Sequence, residues 1–583
     1  MIKALKYLGK REWALAGLSV IFILIQVWLD LTMPDYMSEI TMLVQTPGSR
    51  MSEILGAGGM MLLCALGSLV ASAVVSVIVA RIATNFGSNL RSRLFSRVQD
   101  FSMGEMGRFS TASLITRSTN DITQVQMVIV MGLQIMVKAP ITAAWAIGKI
   151  SAKNPQWTLS TAVSVALLMG VIGVCMIIAI PRFKKMQQLT DNLNRVTREN
   201  LNGLRVVRAY NAEDYQEGKF ATANAELTEN ALQIQRVMAT MMPGIQLVMN
   251  GLSLSIYWIG AALIHKAALP ERAMLFAHMV TYLSYAMQVV MSFMSLVFVF
   301  IMVPRGSVSA KRINEVLDTE PALWDGSYTH GLTVGSVEFR NVSFSYGDGE
   351  EPVIRNISFT AEQGQTVALI GATGSGKSTV VNLIPRFYDA TEGEVLVDGR
   401  NVKDYTREAL RNKIGYVPQK AFLFSGTVAS NVAYGDNGKD TPSREDVIHA
   451  VTIAQGAEFV EEKEKGYDSF VAQGGTNFSG GQKQRLSIAR AIARKPEILI
   501  FDDSFSALDY RTDRILRETL KKECAQATKL IVAQRIGTIR DADCILVLDE
   551  GEIVGQGTHR ELMASCEVYR QIAYSQLSKE ELE

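Results

Sequence analysis

Long, nearly uninterrupted apolar runs dominate the first half of the chain. Six of them cover residues 13–34, 54–80, 127–148, 157–180, 244–264 and 273–304. A helix needs about 20 apolar residues to cross the hydrocarbon core of a bilayer, and each run is long enough. The pattern therefore predicts an all-α membrane domain of six spanning helices within residues 1–315.

The polar segments between these runs differ in length and charge. Those after the second and fourth runs are long, helical in pattern and rich in basic residues such as Arg91, Arg97 and Lys184. Basic residues near span ends favour the cytoplasm, and an even number of crossings puts both termini on one side. We expect a multi-pass protein of the cell membrane with cytoplasmic termini, although Lys149 and Lys153 in an outer loop oppose this locally.

A few polar side chains lie within the apolar runs, namely Asp30, Gln134, Lys138, Asn250, His278 and Gln288. Such groups tend to face a bundle interior or a water-filled path, so they are candidate cavity residues. For Asp30 and Lys138, a position near a span end that reaches the interface is an equal alternative. The many methionines of the last two spans could form an adaptable cavity wall, but we favour ordinary packing or lipid contact.

The character of the chain changes beyond residue 304. Residues 311–335 form a mixed, glycine-containing connection, and from Val337 strand-like and helix-like patterns alternate. Such alternation is typical of an α/β domain. We therefore divide the chain into a membrane domain at 1–315, a linker at 316–336 and a soluble domain at 337–583, which is expected to lie in the cytoplasm.

Composition excludes several classes of function. Lys and Arg number 58 against 57 Asp and Glu, so nothing indicates nucleic acid as a partner. The five cysteines are scattered, with no CxxC pair and no zinc-type spacing. We interpret them as reduced packing residues rather than a disulfide framework or a metal site.

One glycine-rich string carries chemistry. The strand-like run 366–370 leads into Gly371, Ala372, Thr373, Gly374, Ser375, Gly376, Lys377, Ser378 and Thr379, followed by an apolar helical stretch. This is a complete phosphate-binding P-loop in its strand–loop–helix setting. Its backbone N–H groups and the helix N-terminus suit the phosphates of ATP. Lys377 is expected to reach the β- and γ-phosphates, and Ser378 to bind Mg²⁺.

A second apolar strand at 498–501 ends on Asp502. A carboxylate at the C-terminal end of such a strand can meet the magnesium ion of a bound nucleotide. Apolar strands that end in Asp are common, and it is the presence of the P-loop that makes Asp502 a candidate metal ligand. The soluble half is thus predicted to be an α/β P-loop domain that binds ATP and Mg²⁺.

The most specific string in the chain covers residues 477–482. It closely resembles the LSGGQ signature of ATP-binding cassette (ABC) proteins, with Phe478 in place of leucine. The resemblance implies that the motif lies at a helix N-terminus and clasps the γ-phosphate of ATP held by another nucleotide-binding domain, as an anion on exposed N–H donors. Its nucleotide-binding residues would be Ser479, Gly480, Gly481 and Gln482.

The resemblance covers nearly the whole chain. Segments 114–121 and 203–210 are similar to the intracellular loops of type IV ABC exporters, and residues 506–509 to the D-loop. In that family Tyr346 would stack on adenine, with an ordinary surface tyrosine as the alternative. Gln419 would sense Mg²⁺ and contact the membrane domain, and Gln534 would occupy the position of the switch histidine.

Two positions depart from the family pattern. Asp503 stands where the family has the glutamate that orients or deprotonates the attacking water, and Gln534 stands where it has histidine. The Asp503 carboxylate is one methylene shorter, and a misplacement of about 1 Å can cost ~10²-fold in rate. Gln534 can donate a hydrogen bond but cannot become cationic. We expect Asp503, Gln534 and Gln419, the candidate catalytic residues, to form a site that holds ATP and hydrolyses it slowly.

These features resemble bacterial heterodimeric multidrug exporters, in which one of two composite ATP sites is weak. They imply a half-transporter that exports hydrophobic or amphipathic compounds and pairs with a homologous, catalytically intact subunit. Residues 471–475 depart from the usual cross-talk segment of the family, which puts that coupling role in doubt. One alternative is a homodimeric exporter of lipid or peptide, and another is an ATP-sensing membrane protein that transports nothing.

Overall fold

The computed structural model describes residues 3, 6–46, 48–151, 155–347 and 351–577. The chain forms two compact units, one of Met1–Arg97 with Ala112–Thr319 and the other of Val98–Thr111 with Glu320–Glu583. The short segment 98–111 therefore belongs to the second unit, although it interrupts the first in sequence. Lys153 lies outside the described residues.

Long helices make up the first unit. In chain order the helices up to residue 318 are α1 (Lys10–Gln45), α2 (Met51–Asp100), α3 (Met103–Arg108), α4 (Thr111–Ser151), α5 (Pro155–Asn202), α6 (Leu204–Ala209), α7 (Glu213–Lys266) and α8 (Leu269–Asp318). Within the part of the chain that is described, six of them are long and apolar enough to cross a membrane, namely α1, α2, α4, α5, α7 and α8. The predicted six-helix membrane domain is confirmed.

Much of the apolar surface of these helices is not covered by protein. In the most apolar stretch of each, between 17% and 33% of the residues are buried. Large side chains such as Leu69, Leu247 and Trp258 are exposed. A soluble protein would bury such residues, whereas a membrane protein presents them to lipid. Among the helices, α5 packs along α7, and α8 packs against α4 and α1.

Helix α4 is irregular in two places. Segments Arg117–Asp121 and Gly132–Met136 are π-helical, and Pro140 lies inside the helix shortly after the second segment. A π turn holds an extra residue relative to the α-helix, so it rotates the side chains that follow. Neither segment was predicted from the apolar pattern.

The second unit consists of the segment Val98–Thr111 and an α/β domain within Glu320–Glu583. Its strands are β1 (Val337–Phe344), β2 (Ile354–Ala361), β3 (Thr366–Gly371), β4 (Glu392–Val397), β5 (Arg400–Asn401), β6 (Ile414–Val417), β7 (Gly426–Thr427), β8 (Phe470–Val471), β9 (Ile498–Asp502), β10 (Thr528–Val532), β11 (Cys544–Asp549) and β12 (Glu552–Gly557). Its helices from residue 377 onward are α9 (Lys377–Leu383), α10 (Arg407–Asn412), α11 (Val428–Val432), α12 (Arg444–Ile453), α13 (Ala457–Glu461), α14 (Gly480–Ala493), α15 (Tyr510–Glu523), α16 (Ile536–Ile539), α17 (His559–Ser565) and α18 (Glu567–Gln576).

The main sheet has six strands in the order β12-β11-β3-β10-β9-β6. All its neighbours are parallel except β12 and β11. Strands β9 and β10 are buried along their whole length, as expected for central strands covered on both faces. Val532 of β10 is in register with both Leu369 and Asp502, so β3, β10 and β9 end at the same edge. Ligands of parallel sheets bind at this edge. The predicted α/β fold of the soluble half is confirmed.

Candidate nucleotide site

The glycine-rich loop joins β3 to α9. Gly371 ends the strand, residues 372–376 form the turn, and Lys377, Ser378 and Thr379 open the helix. Gly376 has φ +92°, a left-handed conformation that suits glycine. The turn brings the exposed backbone of the loop to the N-terminus of α9, where N–H groups can receive phosphate oxygens.

The Lys377 side chain folds over this loop. Its ammonium donates to the carbonyl oxygens of Gly371 at 2.9 Å and Ala372 at 2.6 Å. Burial lowers the pKa of Lys377, and the Asp503 and Asp502 carboxylates oppose that shift. The lysine is thus a buried cation within the loop, held by carbonyls that it can exchange for phosphate oxygens.

Asp502 and Ser378 meet at the edge of the sheet. The Ser378 hydroxyl donates to Asp502 Oδ1 at 2.7 Å, and the Asp502 side chain is buried. Burial raises the pKa of Asp502, although the hydrogen bond from Ser378 opposes the shift. A divalent cation between the two oxygens would favour the ionised carboxylate. A hydroxyl and a carboxylate so placed fit Mg²⁺, which prefers oxygen ligands.

Asp503 is held by two amide side chains. The Gln534 amide donates to Asp503 Oδ2 at 2.8 Å, and the Gln419 amide donates to the same oxygen at 3.3 Å. Asp503 itself has φ +46°, an uncommon conformation for a residue other than glycine. The other two candidate catalytic residues thus both contact Asp503. In this arrangement Gln419 contacts Asp503, and no hydrogen bond joins it to Asp502 or Ser378 among the described residues.

Tyr346 lies beside the P-loop helix. Its hydroxyl is 2.9 Å from Thr379 Oγ1, and its ring packs edge-on against Phe344 and Tyr388. The residue is 48% exposed, so one part of the ring is free to stack on a base. Two buttressing rings fix its orientation, which suits a flat apolar platform.

Ser479 and Gln482 of the signature-like string 477–482 bond to each other at the N-terminus of helix α14. Ser479 caps helix α14: its hydroxyl accepts from the Gln482 backbone N–H at 3.3 Å, and Gln482 Oε1 accepts from the Ser479 N–H at 3.0 Å. A Cβ added at Gly480 would meet no atom within 4 Å, whereas one at Gly481 would lie 3.2 Å from the Ala507 carbonyl oxygen. Within the described ranges, no hydrogen bond connects residues 479–482 to the P-loop or to Asp503.

Sequence reasoning missed a residue that positions the Gln534 loop. Gln576, near the end of α18, donates to the Gln534 carbonyl oxygen at 2.7 Å and accepts from the Ile536 N–H at 2.8 Å. The C-terminal helix thereby fixes the backbone on both sides of Arg535. No local motif marks Gln576, because its role depends on a contact across 42 residues of sequence.

Comparison with known proteins gives the class of protein that this fold and site define. The family model of the ABC transporter transmembrane region matches residues 16–293, and the ABC transporter model matches residues 354–506. The chain belongs to the ABC transporter family, and it is a multi-pass membrane protein with an ATPase domain.

Individual relatives cover most of its length. An uncharacterized ABC transporter ATP-binding protein of Mycobacterium tuberculosis is 40% identical over 90% of this chain and 88% of its own. An ATP-dependent lipid A-core flippase of Pseudomonas fluorescens is 35% identical over 80% of this chain and 76% of its own. The solved structure of a bacterial Atm1-family ABC exporter with ATP bound has a TM-score of 0.78 at 24% identity, covering 97% of this chain and 98% of the other. The chain has the exporter fold.

Proposed function

We propose that this chain is the subunit with the weak ATP site in a heterodimeric exporter of hydrophobic or amphipathic compounds. The observation that carries the proposal is the contact of Gln534 and Gln419 with Asp503. A general base needs a lone pair directed at the attacking water. Here the shorter carboxylate is engaged by two amide donors, and neither amide can take up a proton as histidine does. The site suits retention of ATP better than its rapid cleavage.

The binding groups of the same site are complete. Lys377, Ser378 and Asp502 would hold the phosphates and Mg²⁺, and Tyr346 would carry the adenine. Bound Mg²⁺ would neutralise charge on the phosphate oxygens. Lys377 would exchange the carbonyls of Gly371 and Ala372 for phosphate oxygens, while Asp502 would stay ionised. The nucleotide-binding residues are complete while two catalytic positions are altered. This combination favours a site specialised for holding ATP over an ordinary site that tolerates the two substitutions.

The signature string supports a composite arrangement with a second subunit. Gly480 has no positive φ and open space around it, so this chain's own fold does not require glycine there. The backbone N–H groups at the start of α14 can then receive a phosphate that approaches from outside the chain. We infer that residues 479–482 complete the ATP site of the partner, where hydrolysis takes place.

Transport would follow from alternation between two states. ATP binding draws the two nucleotide-binding domains together, the cytoplasmic segments transmit the closure, and the membrane cavity opens outward. Hydrolysis in the partner's site resets the cycle. Both termini and the nucleotide-binding domain of this chain would lie in the cytoplasm, because the long polar segments beside the spans are rich in basic residues.

A second candidate cargo is lipid. The 35% identity to lipid A-core flippases over most of the chain favours it. A homodimer of this chain would be the corresponding assembly, and it would need Asp503 to act as base in both sites.

Expression of the chain with and without a homologous ABC half-transporter of the same organism tests the proposal. We expect the complex to hydrolyse ATP and to pump a hydrophobic dye into the lumen of inverted vesicles, whose outer face is the cytoplasmic one. The chain alone should bind ATP with negligible turnover. Brisk turnover by the chain alone, lost on Asp503→Asn, would favour the homodimer. ATP binding without flux in either form would favour an ATP sensor.

A further inference from the structure

A cavity of about 310 Å³ lies within the first unit. Helices α1, α4 and α8 line it with two kinds of side chain. The polar part of the lining includes Asp30, Lys138, Gln134 and Gln288, and the apolar part includes Met33 and Met291. All of these residues lie inside the predicted spans. A charged group at that depth is costly unless it is paired or has a function.

Asp30 and Lys138 form an ion pair across the cavity wall. Lys138 Nζ lies 3.2 Å from Asp30 Oδ2, and the Ser68 hydroxyl donates to Asp30 Oδ1. The Gln288 amide donates to the Asp30 carbonyl oxygen at 3.4 Å. Both carboxylate oxygens of Asp30 accept a hydrogen bond, and the adjacent Lys138 ammonium would repel a cationic ligand.

Lys138 has unused hydrogen-bond capacity. An ammonium has three N–H donors, and among the described residues Asp30 is its one side-chain partner. Gln134, one helical turn away, makes no side-chain hydrogen bond within the described part of the chain. An anionic group could therefore bind to Lys138 and Gln134 without breaking the ion pair.

The backbone of α4 is distorted at this place. The π-helical segment Gly132–Met136 contains Gln134, and Pro140 follows Lys138 by two residues. Single π turns inside α-helices are frequent at functional sites, and they change the direction of the side chains that follow. Here the two hydrogen-bond donors of α4, Lys138 and Gln134, line the same cavity.

A second ion pair between the same two helices provides a comparison. Lys149 of α4 contacts Asp35 of α1, and Tyr285 donates to Asp35 at 2.6 Å. The Lys149 ammonium also lies 5.7 Å from the centre of the Tyr285 ring. Neither Asp35 nor Lys149 is among the residues that line the cavity. This pair holds α1 and α4 together outside the cavity.

We propose that the cavity is a binding site for an amphipathic anion. Its acidic head group binds Lys138 and Gln134, and its apolar part lies against Met33 and Met291. Thioether side chains adapt to varied shapes, which suits an apolar tail of variable form. The hydroxyls of Thr142, Ser292 and Ser295, which donate to carbonyls of their own helices, add polar oxygen atoms to the same lining. As a statement about cargo, the inference rests on the proposed export function.

Binding of fluorescent probes to the full-length chain with its partner in nanodiscs tests this site. The probes are NBD-labelled dodecanoate, its neutral methyl ester and an NBD-labelled dodecyltrimethylammonium. The variants are Lys138→Gln, Asp30→Asn and the double variant D30N/K138Q. Lys149→Gln serves as the matched control, because it removes a lysine of the same helix whose Asp partner also lies on α1.

We expect the wild-type complex to bind the carboxylate at least tenfold more tightly than the ester or the cation. Lys138→Gln should weaken carboxylate binding by about tenfold or more, the usual effect of removing a charge-assisted hydrogen bond. It should leave ester binding unchanged. Asp30→Asn should retain or tighten carboxylate binding, and Lys149→Gln should change it less than twofold.

Two results would overturn the assignment. One is undiminished carboxylate binding in D30N/K138Q, which keeps the shape of the pair without its charge and guards against misfolding of the single variants. The other is preferential binding of the trimethylammonium probe that is lost in Asp30→Asn. An added unlabelled phosphatidate distinguishes the source of the acid: displacement of the labelled carboxylate by it indicates a lipid, and its failure to displace the probe indicates a free amphipathic acid.

The binding assay needs neither ATP nor turnover, so its failure is separate from failure of the proposed function. Carboxylate binding that depends on Lys138 in a complex without flux would leave the site intact and contradict export. Flux without such binding would leave export intact and contradict this site.

Discussion

At the residue level, the chemistry of the nucleotide site depends on which group engages Asp503. One carboxylate oxygen of Asp503, Oδ2, accepts from Gln534 at 2.8 Å and from Gln419 at 3.3 Å. An amide donor stabilises the ionised carboxylate but cannot shuttle a proton. The backbone of Asp503 is fixed as well, since its N–H donates to the Val532 carbonyl oxygen at 3.1 Å. The side chain has little freedom to reach farther.

Restoring the family residues should therefore restore catalysis at this site. In complexes whose other site is disabled by Gly480→Asp in this chain, D503E/Q534H should raise residual ATP turnover by about tenfold or more, since a positioned base contributes roughly 10²–10⁴. Turnover of radiolabelled ATP by the purified complex is the measurement. The control is D503Q/Q534H, which has the length of glutamate without its charge. Equal turnover in both variants would show that the carboxylate is not what limits the site.

At the element level, a buried charge cluster ties three strands of the soluble unit together. Lys413, just before β6, lies 2.8 Å from Asp398 Oδ2 after β4 and 2.7 Å from Glu497 Oε2 before β9. Burial alone would lower the pKa of Lys413, but the hydrogen bonds that its ammonium donates to the two carboxylates outweigh burial and raise the pKa. Asp398 is fully buried, and burial raises its pKa in spite of Lys413. The ionised form of the buried Asp398 therefore depends on the charge of Lys413.

Removing one partner should therefore cost more than removing both. Lys413→Met leaves an uncompensated buried carboxylate and should lower the free energy of unfolding by about 3–5 kcal/mol. The double variant D398N/K413M should recover most of that loss, because Asn tolerates the φ of +53° at position 398 and retains the acceptor for the Ser336 N–H. Thermal unfolding of the full-length chain measures both. A double variant no more stable than the single one would contradict this account.

At the level of the whole molecule, we expect both long polar segments and the soluble unit to lie on the cytoplasmic side of the membrane. In a variant without native cysteines, a cysteine at Ala268, between α7 and α8, should react with an impermeant maleimide on intact cells. A cysteine at Asn211, between α6 and α7, should react only after permeabilisation. Both positions are exposed, so access to the reagent depends on the side of the membrane. Labelling of Asn211 in intact cells would reverse the topology.

The sequence predicted features that depend on local pattern. Six apolar runs predicted six helices, and the string from Gly371 to Thr379 predicted a loop between strand and helix, because each pattern reports on neighbours in sequence. The contact between Gln534 and Asp503 was not predictable, since it depends on the order of strands in the sheet. Likewise, the sequence left open whether Asp30 and Lys138 line a cavity, and they meet only because α1 and α4 pack together across 108 residues.

The most direct measurement compares two variants of this chain in the assembled complex. Gly480→Asp places a carboxylate where we expect the phosphate of the partner's ATP, and open space around Gly480 lets the chain fold unchanged. It should nearly abolish ATP turnover, whereas Asp503→Ala should lower turnover less than about twofold. Gly480→Ala controls for the loss of glycine alone. If Asp503→Ala abolished turnover and Gly480→Asp spared it, hydrolysis would occur in this chain's own site, and the account of an unequal pair would be wrong.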